Sequence, residues 1–396
     1  MIRQACAMDR LGTESAFEVL ARAKALEAAG RSVINLGIGQ PDFQTAPHIV
    51  EAACKALRDG HHGYTPAEGI PALREAVAAD LQRRHGVEVD PGQVLIVPGG
   101  KVTLFFAVIM FGEPGAEILY PDPGFPIYES AIRFTGAEPV PVPLLEANGF
   151  AFSAEDVLAR ITPRTRLLIL NSPANPTGAV TPKSELDRLA AGLAEHPHVA
   201  VLSDEIYSRL VYGDPRGDLR HVSLLAYEDL RDRVILLEGW SKSYAMTGWR
   251  LGYGVWPPAL IEGATRLAIN SHSCVNAAAQ FAGIAALTGP QDSVARMVAA
   301  FDERRRQVVP ALDRLPGFRC AEPGGAFYAF PNVTGTGLRA KELERRLLEE
   351  AGVATLAGSS FGRHGEGFLR ISYANSLENI MAALERIGSW LAERVD

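Results

Sequence analysis

Lys242 is one of only six lysines in the chain, and it stands between an apolar strand pattern and a glycine-rich turn. The strand is Val234-Ile-Leu-Leu237, and the turn runs Glu238-Gly-Trp-Ser-Lys-Ser-Tyr-Ala-Met-Thr-Gly-Trp-Arg250. An amine at the end of a buried strand loses hydration. Its pKa falls, and the freed lone pair can attack a carbonyl to form a Schiff base. Lys24, Lys55 and Lys341 fall on polar faces of helical patterns, and Lys183 follows Thr181-Pro182 at a helix start, all ordinary solvated places. Taken alone, Lys242 reads equally well as a reacting amine or as a snorkelling or surface-loop lysine. Its neighbours must decide.

Those neighbours are set by the strands that deliver them. Short apolar runs alternate with helical patterns through the middle of the chain, which predicts an α/β sheet layered by helices. The strands expected are Val94 to Val97, Glu117 to Tyr120, Arg166 to Leu170, Val199 to Leu202 and Val234 to Leu237. In an open α/β sheet, ligands bind beyond the carboxyl ends of the strands, so the residues after these five runs should converge.

After the first run, Pro98-Gly-Gly-Lys101 opens an apolar helix, and bare N–H groups at such a helix start suit a phosphate. The GxxxxGK[ST] spacing is absent here, and Gly37-Ile-Gly-Gln-Pro-Asp42 lacks the third glycine of a dinucleotide fingerprint. A plain tight turn stays the alternative for Gly99-Gly100. The second run leads to Phe125, in Pro121-Asp-Pro-Gly-Phe125-Pro-Ile-Tyr128, which either stacks on a flat ring or packs in the core. The third leads to Asn171-Ser-Pro-Ala-Asn175-Pro-Thr-Gly178, where two prolines stiffen a loop of hydrogen-bonding side chains. The fourth delivers Asp204, in Ser203-Asp-Glu-Ile-Tyr207, as a carboxylate that needs a partner, with helix capping as the bland alternative. Tyr207 comes one helical turn later. After the fifth come Ser241, Lys242 and Arg250, the first and last of these suited to phosphate oxygens.

One molecule uses all of these groups: a flat, phosphorylated pyridine aldehyde, pyridoxal 5′-phosphate. On this reading Asp204 pairs with the ring nitrogen and keeps it protonated. Asn175 and Tyr207 bond the ring oxygen, Phe125 stacks, and Gly100, Lys101, Ser241 and Arg250 hold the phosphate. Lys242 forms the Schiff base. No metal is called for.

The bulk composition leaves this open and closes other classes. At 396 residues two domains are expected, and 47% apolar with 21% charged residues is ordinary for a globular protein. A net charge of -7 argues against nucleic acid or an anionic membrane as partner. Cys6, Cys54, Cys274 and Cys320 show no CxxC spacing, as expected of reduced thiols in the cytoplasm. The longest apolar run, Val102 to Phe111, is too short to span a bilayer. Thr13 to Gly30 reads as a helix with Val19, Leu20, Ala23 and Leu26 inward. Beyond about residue 290 the pattern turns to charged helices, Ala300 to Leu315 and Lys341 to Ala351, around a short strand Ala326 to Phe330. This predicts a smaller α+β domain of residues 1–45 and 291–396 beside a cofactor-binding domain of residues 46–290.

Six blocks in their order resemble the class I and II aminotransferases of the pyridoxal-phosphate fold type I group: Asn35-Leu-Gly-Ile-Gly-Gln-Pro-Asp-Phe43, Tyr64-Thr-Pro-Ala-Glu-Gly69, Asn175-Pro-Thr-Gly178, Ser203-Asp-Glu-Ile-Tyr207, Ser241-Lys242 with Gly248-Trp-Arg250, and Phe368-Leu-Arg-Ile-Ser372. The resemblance implies a large domain with a mostly parallel seven-stranded sheet sandwiched by helices, plus the smaller α+β domain. It implies a homodimer with shared active sites, in which Tyr64 reaches the phosphate held by the partner subunit. It further implies that Arg370 binds the substrate carboxylate, with Asn175 and the backbone near Gly39 on the substrate side. Trp240 departs from the family pattern, where a smaller residue is usual, and altered packing behind Lys242 is expected. Thr13-Glu-Ser-Ala-Phe17 is similar to the branch of prokaryotic aspartate and broad-specificity aminotransferases.

The expected activity is transfer of an amino group from an L-amino acid to a 2-oxo acid. A lyase, elimination or cyclisation enzyme on the same fold is the rival within enzymes. A regulatory module would need a DNA-reading segment, and the first helical pattern opens within about fifteen residues of the start.

Overall fold

Strands whose residues are apolar at every position must be covered on both faces, and the sheet at the centre of this chain is built that way. The computed structural model describes residues 2–213 and 221–394. Seven strands form the central sheet: β1 Val94–Val97, β2 Glu117–Asp122, β3 Glu138–Pro143, β4 Thr165–Asn171, β5 Ala200–Asp204, β6 Val234–Gly239 and β7 Gly252–Val255. Their spatial order is β1-β7-β6-β5-β4-β2-β3, all parallel except β7, which runs antiparallel to both neighbours.

Alternate residues of each strand enter different cores. Leu95, Val97, Ile169, Leu202 and Leu237 pack with the helices Lys101–Phe111, Ile127–Thr135 and Ile261–Ser271. Val94, Ile96, Leu168, Val201 and Leu236 pack with the helices Pro47–Arg58, Pro71–His85, Lys183–Leu193 and Ala277–Thr288 on the other face. This period of two buries both faces of the strands and leaves only their ends for chemistry.

All five expected strands form, most of them a residue or two longer than read. Two others escaped the sequence reading, each for a physical reason. β3, Glu138-Pro-Val-Pro-Val-Pro143, carries three prolines that cannot donate to a ladder, and it sits at the sheet edge where that loss is tolerated. β7, Gly252-Tyr-Gly-Val255, reads as a loop because of its glycines, yet they are needed there. A Cβ on Gly252 would lie 2.3 Å from the backbone nitrogen of Gly100.

A separate core joins Leu36, Tyr207, Phe301, Phe327, Leu343, Val353, Ile371 and Leu384. It surrounds short strand pairings of 369–372 with 356–357 and 328–329. The N-terminal helix is Ser15–Ala28, and its buried Val19 and Ala23 pack with Leu348, Ala354, Leu356 and Phe361. Leu20 and Leu26, expected inward, are half-buried. The charged helices are Asp292–Asp313 and Ala340–Arg346, the second continuing through a wide turn at Leu347–Ala351. Among the described residues no helix is long and apolar enough to cross a membrane.

The end of β6 is held by buried charge. Arg84 donates to Glu238 at 2.7 Å and to Asp80 at 2.8 Å, Arg209 donates to Asp80 at 2.6 Å, and Ser208 and Tyr253 donate to Glu238. Burial pushes Glu238 up, but the cations of Arg84 and Arg209 and the two hydroxyls outweigh it and hold the carboxyl at about 2. Glu238→Gln leaves Arg84 and Arg209 to share the single carboxylate of Asp80 and is expected to cost about 3 kcal/mol, read from unfolding of the two proteins side by side. A depressed carboxyl stabilises the fold above its ordinary pKa and ceases to do so as pH falls through its folded value. The gap between wild type and variant should therefore close as pH drops from 4.5 towards about 2.

Candidate active site

The six parallel strands end on the same side of the sheet, and the turns after five of them face one space. That space is a cavity of about 480 Å³ lined by Gly39, Gly100, Lys101, Phe125, Asn175, Asp204, Tyr207, Ser241, Lys242, Arg250 and Arg370 among others. Eleven of the twelve residues singled out in the sequence thus meet there. Tyr64 does not; it stands 93% exposed on the outer surface.

Lys242 leaves β6 through Trp240, whose indole is fully buried, donates to the carbonyl of Gly283 at 3.1 Å and meets Tyr253 edge-on. Gly283 leaves room for this large residue, since a Cβ there would lie 3.3 Å from the indole and 2.7 Å from Leu251. The Lys242 ammonium donates to the carbonyl of Gly39 at 2.6 Å. Burial, with the charges of Arg370 and Arg250, lowers its pKa to about 8. A free amine is therefore present near neutral pH, as nucleophilic or acid–base work requires.

Asp204 ends β5 beneath the same space. Its Oδ2 accepts from the hydroxyl of Tyr128 at 2.7 Å and its Oδ1 from the backbone of Ile206 at 3.3 Å. Burial raises its pKa to about 6, against the pull of those two donors. Glu205, just past the strand, has a different set of partners. It accepts from Ser203, Ser223 and the Leu224 backbone and bonds His221 at 2.7 Å.

Asn175 is fixed by Asn171, whose Oδ1 accepts from its backbone nitrogen at 2.8 Å and whose Nδ2 donates to the Asp204 carbonyl at 3.0 Å. The Asn175 Oδ1 accepts from Arg370 at 2.9 Å, and a second Arg370 nitrogen donates to the Gly37 carbonyl at 2.5 Å. The guanidinium lies 4.5 Å from the Tyr328 ring centre and 4.9 Å from that of Phe361. Its Nε is buried without a partner among the described residues, and these contacts are all neutral. A buried cation so placed calls for an anion.

A second anion position is built around the Gly99-Gly100 turn. Arg250 adopts a left-handed backbone with φ of 54°, donates to Thr247 at 2.8 Å, and lies so close that a Cβ on Gly99 would sit 2.3 Å from its Nη2. The helix Lys101–Phe111 starts here with no side chain capping it, and Gly100 and Lys101 at its start line the cavity. The Lys101 side chain forms an ion pair with Glu14 at the cavity wall and lies 5.1 Å from the Phe125 ring centre.

Tyr128, Tyr328 and Glu14 are site residues that the sequence reading does not single out. Tyr128 sits in the Pro121–Tyr128 loop beside Phe125, which it meets edge-on, and a strand-end argument favours the nearer ring. Tyr328 shares a hydrogen bond of 2.8 Å with Tyr207 and would clash with any side chain at Gly39, where a Cβ would lie 2.3 Å from its hydroxyl. Nothing local in the sequence marks it. Tyr128→Phe removes the strongest donor to Asp204, and the Asp204 pKa should rise by about one pH unit above wild type, as read by carbon-13 titration of the labelled carboxyl.

Similarity to known proteins runs along nearly the whole chain. The family model described as aminotransferase class I and II matches residues 31–387. An aspartate aminotransferase of Geobacillus stearothermophilus is 39% identical over 390 residues, covering 97% of this chain and 98% of that protein. One from Streptomyces avermitilis is 41% identical over 395 residues, covering 97% and 95%. The solved aspartate aminotransferase of Rhizobium meliloti superposes with a TM-score of 0.93 at 35% identity, over 99% of each chain. That of Thermus thermophilus, solved with maleate, gives 0.92 at 35% identity over 98% of this chain and all of that one.

Proposed function

Because this chain belongs to the class I and II aminotransferases, we propose that its cavity holds pyridoxal 5′-phosphate on Lys242 and passes an amino group from an L-amino acid to a 2-oxo acid. The observation that carries this reading is the meeting in one cavity of Lys242, Asp204 and Arg370, whose Nε has no partner among the described residues. The donor set fits the cofactor at each end. Arg250, Ser241 and the backbone N–H groups of Gly100 and Lys101 suit its phosphate, and the buried carboxylate of Asp204 suits a cationic ring nitrogen. When bound, the cofactor supplies an aldehyde for the lysine and a protonated ring that accepts the electron pair of a broken Cα–H bond.

The chain supplies the rest. Tyr128 and the Ile206 backbone hold Asp204 in position, and a cation above it would draw its pKa back down from about 6. Asn175 and Tyr207 offer hydrogen bonds to the ring oxygen, and Phe125 packs at its face. Arg370 grips the substrate carboxylate through the Nε, which has no partner among the described residues, while Asn175 keeps the fork oriented. The Lys242 amine, displaced from its tether by the substrate amine, moves the proton from Cα, a task suited to its lowered pKa of about 8. The carbonyl of Gly39 holds that amine on the substrate side.

The working form on this reading is a homodimer in the cytoplasm, with Tyr64 reaching the phosphate of the partner's site. Residues 1–45 and 291–396, which carry Gly39 and Arg370, act as the smaller unit against residues 46–290. The names of the relatives make aspartate the first donor to try, with 2-oxoglutarate as acceptor.

Lys242→Ala is expected to lose covalently held cofactor and nearly all transfer. Borohydride reduction and then peptide mapping should find the label on Lys242 in the wild type. A label on another lysine, or product formed without any 2-oxo acceptor, overturns the reading. Arg370→Ala should lower kcat/KM by roughly a hundredfold, the order lost when one partner of a buried charge-assisted pair is removed. Steady-state kinetics across donors checks that figure.

A further inference from the structure

The cavity holds one more pair of charges than this reading uses. Glu14 and Lys101 both line it and are joined in an ion pair, with the glutamate side chain 15% exposed and the lysine 45%. Glu14 is placed from two sides. Upstream, Arg10 donates to the carbonyls of Arg133 and Phe134 at 2.7 and 3.0 Å, and Gly12 donates to Ser130 at 2.9 Å. Downstream, the helix Ser15–Ala28 is anchored by Val19 and Ala23 against Leu356 and Phe361. Glu14 lines the same cavity as Lys242, Arg370 and Tyr328.

The other cations lining the cavity already have work. Arg370 awaits the substrate carboxylate, Arg250 spans the glycine turn, and Lys242 is the reacting amine. Lys101 is the cation left for a second substrate carboxylate, and Glu14 sits on it. Near the pair the wall is apolar, with Ala16, Phe17, Ile38 and Leu104.

We propose that Glu14 is a specificity-determining residue, an internal carboxylate that neutralises Lys101 for amino acids with uncharged side chains and must be displaced by dicarboxylic ones. This rests on the aminotransferase reading, which requires one site to take two different side chains in turn. With the pair closed, an uncharged side chain meets no bare cation. With the pair opened, a dicarboxylate takes Lys101 and leaves Glu14 to water, so the exchange exacts a penalty from dicarboxylic substrates alone.

The test compares wild type with Glu14→Gln and Glu14→Ala, loaded with cofactor. The ratio of kcat/KM for L-aspartate to that for L-alanine should rise about fivefold or more in both variants, the upper order for a part-exposed ion pair. Adding Lys101→Ala to Glu14→Gln should abolish the rise. Binding of succinate and butyrate, measured by calorimetry, gives a readout without turnover. Succinate should tighten in the Glu14 variants by a similar factor and butyrate should not change. A ratio that stays level or falls in both variants, or succinate affinity that does not move, overturns the proposal. If the wild type transfers from no donor at all, the aminotransferase reading fails, while succinate against butyrate still decides the role of Glu14.

Discussion

Several like charges held together in one partly dry cavity form the constraint around which this molecule is arranged. Lys242, Arg250 and Arg370 repel one another, and burial weakens Lys242 and Arg370 as cations. Such an arrangement relaxes unless the surrounding structure over-determines it. Each of the three is therefore clamped by groups that carry no opposite charge. Arg370 lies between Tyr328 and Phe361 and is bonded by Asn175 and a carbonyl, Arg250 is bent into a left-handed backbone over Gly99, and Lys242 is tied to the Gly39 carbonyl. The unsatisfied attraction that remains suits the cavity to anions such as phosphate and carboxylate.

The supporting charges lie one layer back. Glu238, four residues before Lys242, is locked by Arg84, Ser208 and Tyr253, so β6 cannot slide relative to the helix Pro71–His85. Asp204 is similarly oriented by Tyr128 on the adjoining side of the sheet. Energy held in these buried pairs gives the fold little net stability, since desolvation opposes it, but it makes alternative positions of the strand ends costly.

Among the contacts that join the strand ends to the core around Phe301 and Ile371, two are made by residues of the cavity itself, Arg370 with Asn175 and Gly39 with Lys242. A ligand that competes for either of them also bears on how the two cores meet. Glu14 adds a further tie, from the N-terminal helix to the start of the helix Lys101–Phe111.

Much of the site was legible in the chain because strand ends in a parallel sheet are forced to one side, and short strands of β-branched and aliphatic residues are easy to see. The residues just past each apolar run were enough to collect Gly100, Phe125, Asn175, Asp204 and Lys242. Family blocks added Gly39 and Arg370, which no strand-end argument reaches. Proline-rich β3 and glycine-rich β7 were hidden because local propensity there opposes the role that position in the sheet allows. Tyr128, Tyr328 and Glu14 were hidden for another reason. Their importance lies in distant partners, Asp204, Tyr207 and Lys101, and separations of 76, 121 and 87 residues leave no local pattern. What the sequence by itself determined was the place of five strands along the chain and the kinds of chemistry at their ends, since burial and backbone geometry act over a few residues. Which charges end up paired, which stay bare, and how far each pKa moves were decided only by the tertiary structure, because electrostatic energy depends on distance and hydration across space rather than along the chain.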